Sequence, residues 1–489
     1  MTGTTAITFI VYLVAMLAIG VAAYRLTSNL SDYILGGRRL GPGVAALSAG
    51  ASDMSGWLLL GLPGAVFAAG MNQIWIAIGL TFGAFLNWWY VAGRLRIYTE
   101  VAADSLTLPD FLENRFRDRS RLLRVISAIV ILLFFTFYTS SGMVAGAKLF
   151  EASFDMSYTS ALWVGAAVII SYTFLGGFLA VSWTDFVQGI LMFLALCAVP
   201  IVTIMEVGGW NATVSEVAAF DPGYLDAFHE MTLLGIVSLM AWGLGYFGQP
   251  HILARFMALR SAADVPKARF IGMGWMVVSL FGAIFTGFVG VAYLSRGELG
   301  DAEQVFILMT DVLFHPVISG ILLAAILAAI MSTIDSQLLV SSSAITEDFY
   351  KQLFRRDAGE KELVWIGRIS VAGIALIAIW MASNPDRSVL DLVSYAWAGF
   401  GGAFGPIVIL SLTWERLSRN GALLGIIVGA LTVVIWGELS GGLFDVYEIL
   451  PAFILCGATA IVVSLLGKDV SPEVREEFAR VRVEFDRAK

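Results

Sequence analysis

Apolar runs long enough to cross a bilayer recur along this chain from about Ala6 to about residue 467, and charge is nearly confined to the segments between them. In hydrocarbon every backbone N–H and C=O needs a partner within the protein, so only helices and closed barrels can span. Runs of about 18 residues or more argue for helices. The alternating ten-residue segments of a barrel are absent. With 58% hydrophobic and only 14% charged residues, the chain reads as an all-α integral membrane protein. Its 50 glycines suit close helix crossings and broken helices. Cys197 and Cys456 lie within apolar runs and imply neither a disulfide framework nor a metal site. His229, His251 and His315 are scattered and form no ligand cluster.

Thirteen candidate spans are centred near residues 15, 56, 84, 137, 168, 196, 241, 282, 331, 374, 401, 430 and 457. No basic residue precedes the first, so it reads as a permanent span rather than a cleaved leader. With the N-terminus outside, the inward-facing loops and tail hold 26 of the 30 Lys and Arg. Lys148, Arg296 and Arg387 stay outside, and Arg368 falls near the start of the tenth span. That asymmetry is the positive-inside pattern, with the C-terminus in the cytoplasm. Residues 1–467 form a single membrane domain, and 468–489 a charged cytoplasmic tail. Arg94, Arg96 and the Arg115–Arg124 group are explained by lying at the cytoplasmic face, and Arg38 reads as an anchor of the same kind.

Two spans are interrupted. In the second, Gly50, Ser52, Ser55 and Gly56 flank Asp53, and all four are poor helix formers. An ionisable group at that depth is costly and points to an ion or substrate path. The freed carbonyls and hydroxyls suit a sodium ion, and the freed amides a carboxylate. The plainer alternative is a small-residue packing seam, which does not need an Asp. The seventh span carries Trp242 to Pro250, with Gly243, Gly245 and Gly248 weakening the helix on the way to the proline. Interrupted spans at matching places in two halves mark a transporter's site. The two core units then run from about 41 to 207 and from about 231 to 413.

Other residues join these breaks. In the ninth span Ser332 and Thr333 stand beside Asp335 and favour cation ligation, and Ser332, Asp335 and Ser336 share a helix face. Isolated hydroxyls there would only bond back along the helix. Asp185 opens the sixth span, either as an N-cap or as partner to Asp335 and Ser336 in a second cation or proton site. Trp242, Tyr246 and Pro250, with Tyr138, either wall a pocket for a small apolar ligand or simply pack. Tyr395 to Gly399 with Gly401, Gly402 and Gly405 are a hinge or a close helix crossing. No phosphate-binding loop, zinc motif or nucleophile elbow is present, so an enzyme is not expected, and a nucleic-acid reading has no support.

The runs Tyr33–Arg38, Ser48–Trp57, Gly61–Ala65, Gly176–Asp185, Gly243–Phe256, Ala328–Thr333 and Ser394–Phe404 closely resemble the solute:sodium symporter family. The likeness extends over roughly residues 6 to 467. It implies thirteen helices around a LeuT-like five-plus-five inverted repeat, with helices two and seven broken. It implies import of L-proline with Na+ across the bacterial cytoplasmic (inner) membrane, without an obligatory protein partner. The implied sodium ligands are the carbonyls of Ala51, Met54 and Ala329 with the hydroxyls of Ser332 and Thr333. Asp53 is implied in sodium-dependent binding. Ser55 and Gly56 border the site, and the implied proline pocket uses Tyr138, Trp242, Tyr246 and Pro250. Coupling to protons through Asp185 and Asp335, or transport of another small amino acid or carboxylate, stays open.

Overall fold

The computed structural model describes residues 3–24, 30–173, 177–294, 300–355, 357–467 and 470–488. Gly176 and Arg296, named above, and the first residue of the tail, Lys468, lie outside the described residues. Among those described, secondary structure is helical throughout, with one isolated β-bridge between Leu40 and Leu259. Nine helices are long and apolar enough to cross a membrane, and four further expected positions hold shorter apolar helices.

In chain order the principal segments are α1 (Gly3–Tyr24), α2 (Pro42–Asp53), α3 (Trp57–Ala69), α4 (Met71–Val101), α5 (Leu122–Phe154), α6 (Tyr158–Thr173) and α7 (Phe178–Val207). There follow α8 (Leu233–Gly248), α9 (Pro250–Ala258), α10 (Val265–Tyr293), α11 (Pro316–Ser343), α12 (Glu360–Met381) and α13 (Val389–Thr413). The series closes with α14 (Arg419–Gly437), α15 (Ile449–Leu466) and α16 (Pro472–Ala488).

Hydrophobicity alone does not say which helices meet lipid, because in a membrane both faces are apolar. Burial does. In α11 and α13, 83% of the most apolar stretch is inside the protein, against 28% in α15 and 33% in α7. Both breaks are enclosed by other helices: α2 packs among α7, α10 and α11, while α8 lies between α4 and α13. Glycines set the second of these contacts. A Cβ on Gly83 would fall on the carbonyl of Gly243, and one on Gly245 on the indole of Trp397, so backbone meets backbone or ring there. In α13, Gly399 faces Phe134 and Gly402 faces Ala452, which makes that glycine run a close crossing.

Several charges expected merely to face the cytoplasm are structural. Arg38 donates to Asp104, Thr99, the Ser105 carbonyl and the Met257 carbonyl, clamping three segments. Arg124 pairs with Asp110, Glu113 and Asp348. Arg115 is buried, with its guanidinium 5.1 Å from the Tyr98 ring and 5.4 Å from that of Phe478. At the opposite end Lys148 is buried between Asp301 and Glu303, and Glu303 accepts the N–H groups of Val389 and Leu390 at the start of α13. The tail, taken from sequence as charged and without a motif, is the amphipathic helix α16. Its Val474, Phe478, Val481 and Phe485 recur at helical spacing, and Val474 and Val481 are buried. That period was readable in the sequence.

Candidate functional site

The first break is a rerouting of hydrogen bonds. In an unbroken helix the N–H of Ser55 would bond to Ala51, that of Trp57 to Asp53 and that of Leu58 to Met54. Here Ser55 N–H turns to the Asp53 carbonyl at 3.0 Å, Trp57 N–H to the Ser55 hydroxyl at 3.4 Å, and Leu58 N–H to the Ser55 carbonyl at 3.0 Å. The carbonyls of Ala51, Asp53 and Met54 lose their helical donors together. Met54, at φ −85° and ψ 78°, is the residue at which the chain leaves the helix. It is buried, so those carbonyls must find other partners.

Two of those partners come from α11. The Ser332 hydroxyl donates to the Ala51 carbonyl at 2.8 Å, and the Thr333 hydroxyl lies 3.4 Å from the same oxygen. Both also reach the Ala329 carbonyl, at 3.1 and 3.2 Å. Two carbonyls and two hydroxyls, all on buried residues, thus converge where the broken helix meets α11. This is a compact set of neutral oxygens of the kind a desolvated alkali cation accepts. Four of the five expected sodium ligands are brought together, and the Met54 carbonyl is released one turn away.

Asp53 connects this break to the rest of the interior. Its carbonyl accepts from the Tyr138 hydroxyl at 2.9 Å and from the Trp57 indole at 3.3 Å. Its carboxylate accepts the Tyr246 hydroxyl across from α8. Asp53 and Tyr246 line one small cavity together with Gly50, Met54, Asn87 and Met276. Gly56 is packed on Ala145 and Ile330, leaving its backbone close to both α5 and α11.

The second break is built differently. After Met240 the helix tightens to 3₁₀ over Ala241–Gly248, and Gln249 is extended before Pro250 opens α9. Proline lacks the N–H that would continue the ladder. The tightened turn presents aromatic rings. Trp242 lies 6.1 Å from Trp57 and 5.4 Å from Tyr447 between ring centroids, and Tyr246 meets Trp397 edge-on at 5.1 Å. The loosened carbonyls are claimed as well: Trp397 Nε1 donates to Trp242 at 2.7 Å, and Asn87 Nδ2 to Tyr246 at 2.9 Å. Asn87 was not singled out from sequence. It opens a π-helical turn in α4, and such turns gather at functional sites. Pro250 is set apart from these rings, lining a different cavity with Ile131 and Asp348.

The expected second cation position holds a cation of the protein itself. Arg255 lies on α9 rather than in a loop, and it is fully buried. It donates to the Asp185 carboxylate at 3.1 Å, the Ser336 hydroxyl at 2.5 Å and the Ser48 hydroxyl at 3.0 Å. Ser48 also donates to Asp185 at 2.7 Å. Asp185 is not an N-cap: α7 begins at Phe178 behind an extended Gly177, so the carboxylate sits two turns inside. Asp335 is buried on α11, and both it and Asp185 lie near Tyr12 of α1, whose hydroxyl accepts from Gln188 at 3.0 Å.

Comparison with known proteins fits this architecture. Residues 33–429 match the sequence profile of the Sodium:solute symporter family. The chain is 55% identical over 488 residues to the sodium/proline symporter of Escherichia coli strain K12, covering 99% of this chain and 97% of that one. It is 56% identical over 466 residues to the high-affinity proline transporter PutP of Bacillus subtilis strain 168, covering 95% and 98%. The fold is similar to a solved outward-open, Na+-coupled sialic acid symporter, with a TM-score of 0.81 at 17% identity over 96% of this chain and 99% of that one. The chain is a multi-pass membrane transporter, not an enzyme, and belongs to the sodium:solute symporter family.

Proposed function

We propose that this protein imports L-proline with Na+ by alternating access across the bacterial cytoplasmic membrane, N-terminus outside and C-terminus inside. The observation that supports the reading is the redirected carbonyl of Ala51 meeting the hydroxyls of Ser332 and Thr333. A sodium ion entering there would tie the broken α2–α3 pair to α11. Asp53 passes that ordering to Tyr246 through its carboxylate, and so to the wall of the substrate pocket. Proline would then lie against Trp242 and Tyr246, with Tyr138, Ser55 and Gly56 closing the side toward the ion. The two units, about 41–207 and 231–413, rock around the pair of breaks.

Zwitterionic proline carries no net charge, so the ion moves the charge. At about −100 mV that contributes roughly 2.3 kcal/mol per ion, and a tenfold sodium ratio adds about 1.4 kcal/mol. One ion therefore supports roughly 500-fold accumulation. The direct test is radiolabelled proline uptake into proteoliposomes with and without an inward sodium gradient. Sodium-dependent accumulation abolished by excess unlabelled proline is expected. Uptake indifferent to sodium would reassign coupling to protons, and no proline uptake would reassign the substrate.

A further inference from the structure

The lipid-facing side of α4 is a single helical stripe. Phe82, Phe85, Leu86, Trp89 and Tyr90 are all exposed, between 39% and 62%, at spacings of one and two turns. One turn beyond Tyr90 the stripe ends at Arg94, whose Nη1 donates to the Tyr90 carbonyl at 2.7 Å. Arg269, near the start of α10, reaches back onto the same stripe. Its guanidinium lies 4.4 Å from the Trp89 ring and 5.6 Å from that of Phe85. Arg94 in turn lies 4.5 Å from the ring of Phe485 on α16. Both arginines, with Trp89, Pro266 and Phe485, line one open cavity of about 420 Å³ between α4, the start of α10 and α16.

The chemistry of this place is specific. A guanidinium stacked on a ring keeps its planar fork of N–H donors free at the edges, and that fork matches phosphate oxygens. Among the described residues Arg269 joins no ion pair. Asp486 is near Arg94, and with Arg94 and Arg482 it lines a second cavity, whereas it does not line the one that holds Arg269. A charged pocket at the end of a lipid-exposed aromatic stripe fits a ligand with an anionic head and hydrocarbon tails. A soluble anion would leave the stripe without a role. Basic pockets between spanning helices are known to take lipid headgroups.

We propose that this cavity is a headgroup site for an anionic phospholipid, with Arg94 and Arg269 holding the phosphate and the Phe82–Tyr90 stripe bearing the acyl chains. Neither arginine touches the proposed ion or substrate residues, so the site stands apart from the transport reading.

The test uses the full-length protein, delipidated in detergent and exposed to mixed micelles of equal phosphatidylglycerol and phosphatidylcholine, with retained lipid quantified by mass spectrometry. Wild-type protein is expected to retain phosphatidylglycerol in clear excess, and equal retention of the two lipids overturns the site. The R94Q/R269Q double variant is expected to bind phosphatidylglycerol on the order of tenfold more weakly, with phosphatidylcholine unchanged. Lys267 is exposed two residues before Arg269 and reports on diffuse charge. If Lys267→Gln costs as much as the arginine pair, there is no defined site. Displacement of the lipid by excess inorganic phosphate would show a free-anion site and overturn the lipid assignment. Should the double variant not fold, wild-type selectivity and the phosphate competition still decide.

Discussion

The two interrupted spans reach the same end by opposite means. Between α2 and α3 the helix opens: donors turn away, and the carbonyls of Ala51, Asp53 and Met54 lose their helical partners, the first being met by the Ser332 and Thr333 hydroxyls and the second by Tyr138 and Trp57. Between α8 and α9 the helix tightens into 3₁₀ and stops at a proline, and its loosened carbonyls are taken at once by Trp397 and Asn87. The first break exposes oxygen and the second exposes rings. An ion needs the former and an apolar amino acid the latter, and the proposed Na+ and proline sites divide between the breaks accordingly. The bond from Tyr246 to the Asp53 carboxylate is the point at which the breaks meet.

The largest effect is expected behind the second break. Arg255→Gln leaves Asp185 as a buried charge without its partner, which costs about 3–5 kcal/mol. Thermal unfolding in detergent should drop steeply, and adding Asp185→Asn should recover much of the loss. An unchanged melting temperature would remove Arg255 as the anchor of α9. Next, Asp53→Asn weakens the link between the breaks. A hydrogen bond to a charged group contributes about 1.5–3 kcal/mol, so the sodium concentration for half-maximal uptake should rise at least about tenfold. Near-normal sodium dependence would separate the two breaks. Trp242→Ala tests the ring side alone: burying an aromatic ring contributes on the order of 2 kcal/mol, so proline affinity should weaken about 30-fold at saturating sodium. A shift in sodium dependence instead would erase the division of labour. The smallest effect belongs to Ser332→Ala, which removes one hydroxyl worth about 1 kcal/mol. Half-saturating sodium should rise about fivefold while proline affinity at saturating sodium holds.

Both breaks were legible in the sequence because their causes are local. Gly50 to Gly56 and Gly243 to Pro250 carry the poor helix formers on the spot. The convergence of Ser332 and Thr333 on Ala51 was reached through resemblance, since contact between residues some 280 positions apart leaves no local mark. Arg255, counted from sequence among the 26 inward-facing loop and tail residues, was misplaced for a physical reason. Basic residues beyond a span usually mark a loop, but here Pro250 starts a further helix that carries the guanidinium inward to Asp185. Arg38 was likewise taken for a surface anchor, because two of its four acceptors are backbone carbonyls and all four lie at least 60 residues away, where composition cannot reveal them. Asn87 went unnoticed because a single amide in an apolar helix gives no periodic signal.

The backbone contact of Gly83 with Gly243 has a mechanical consequence. Two helices separated by side chains can slide, because rotamers yield. Two helices touching through their peptide planes cannot, since each carbonyl is a rigid stop for the other. With Trp397 filling the groove at Gly245, the tightened half of α8 is keyed on both flanks. Any rocking of the two units must therefore pivot rather than slide at this contact, and a single added methyl at Gly83 would wedge α4 away from α8.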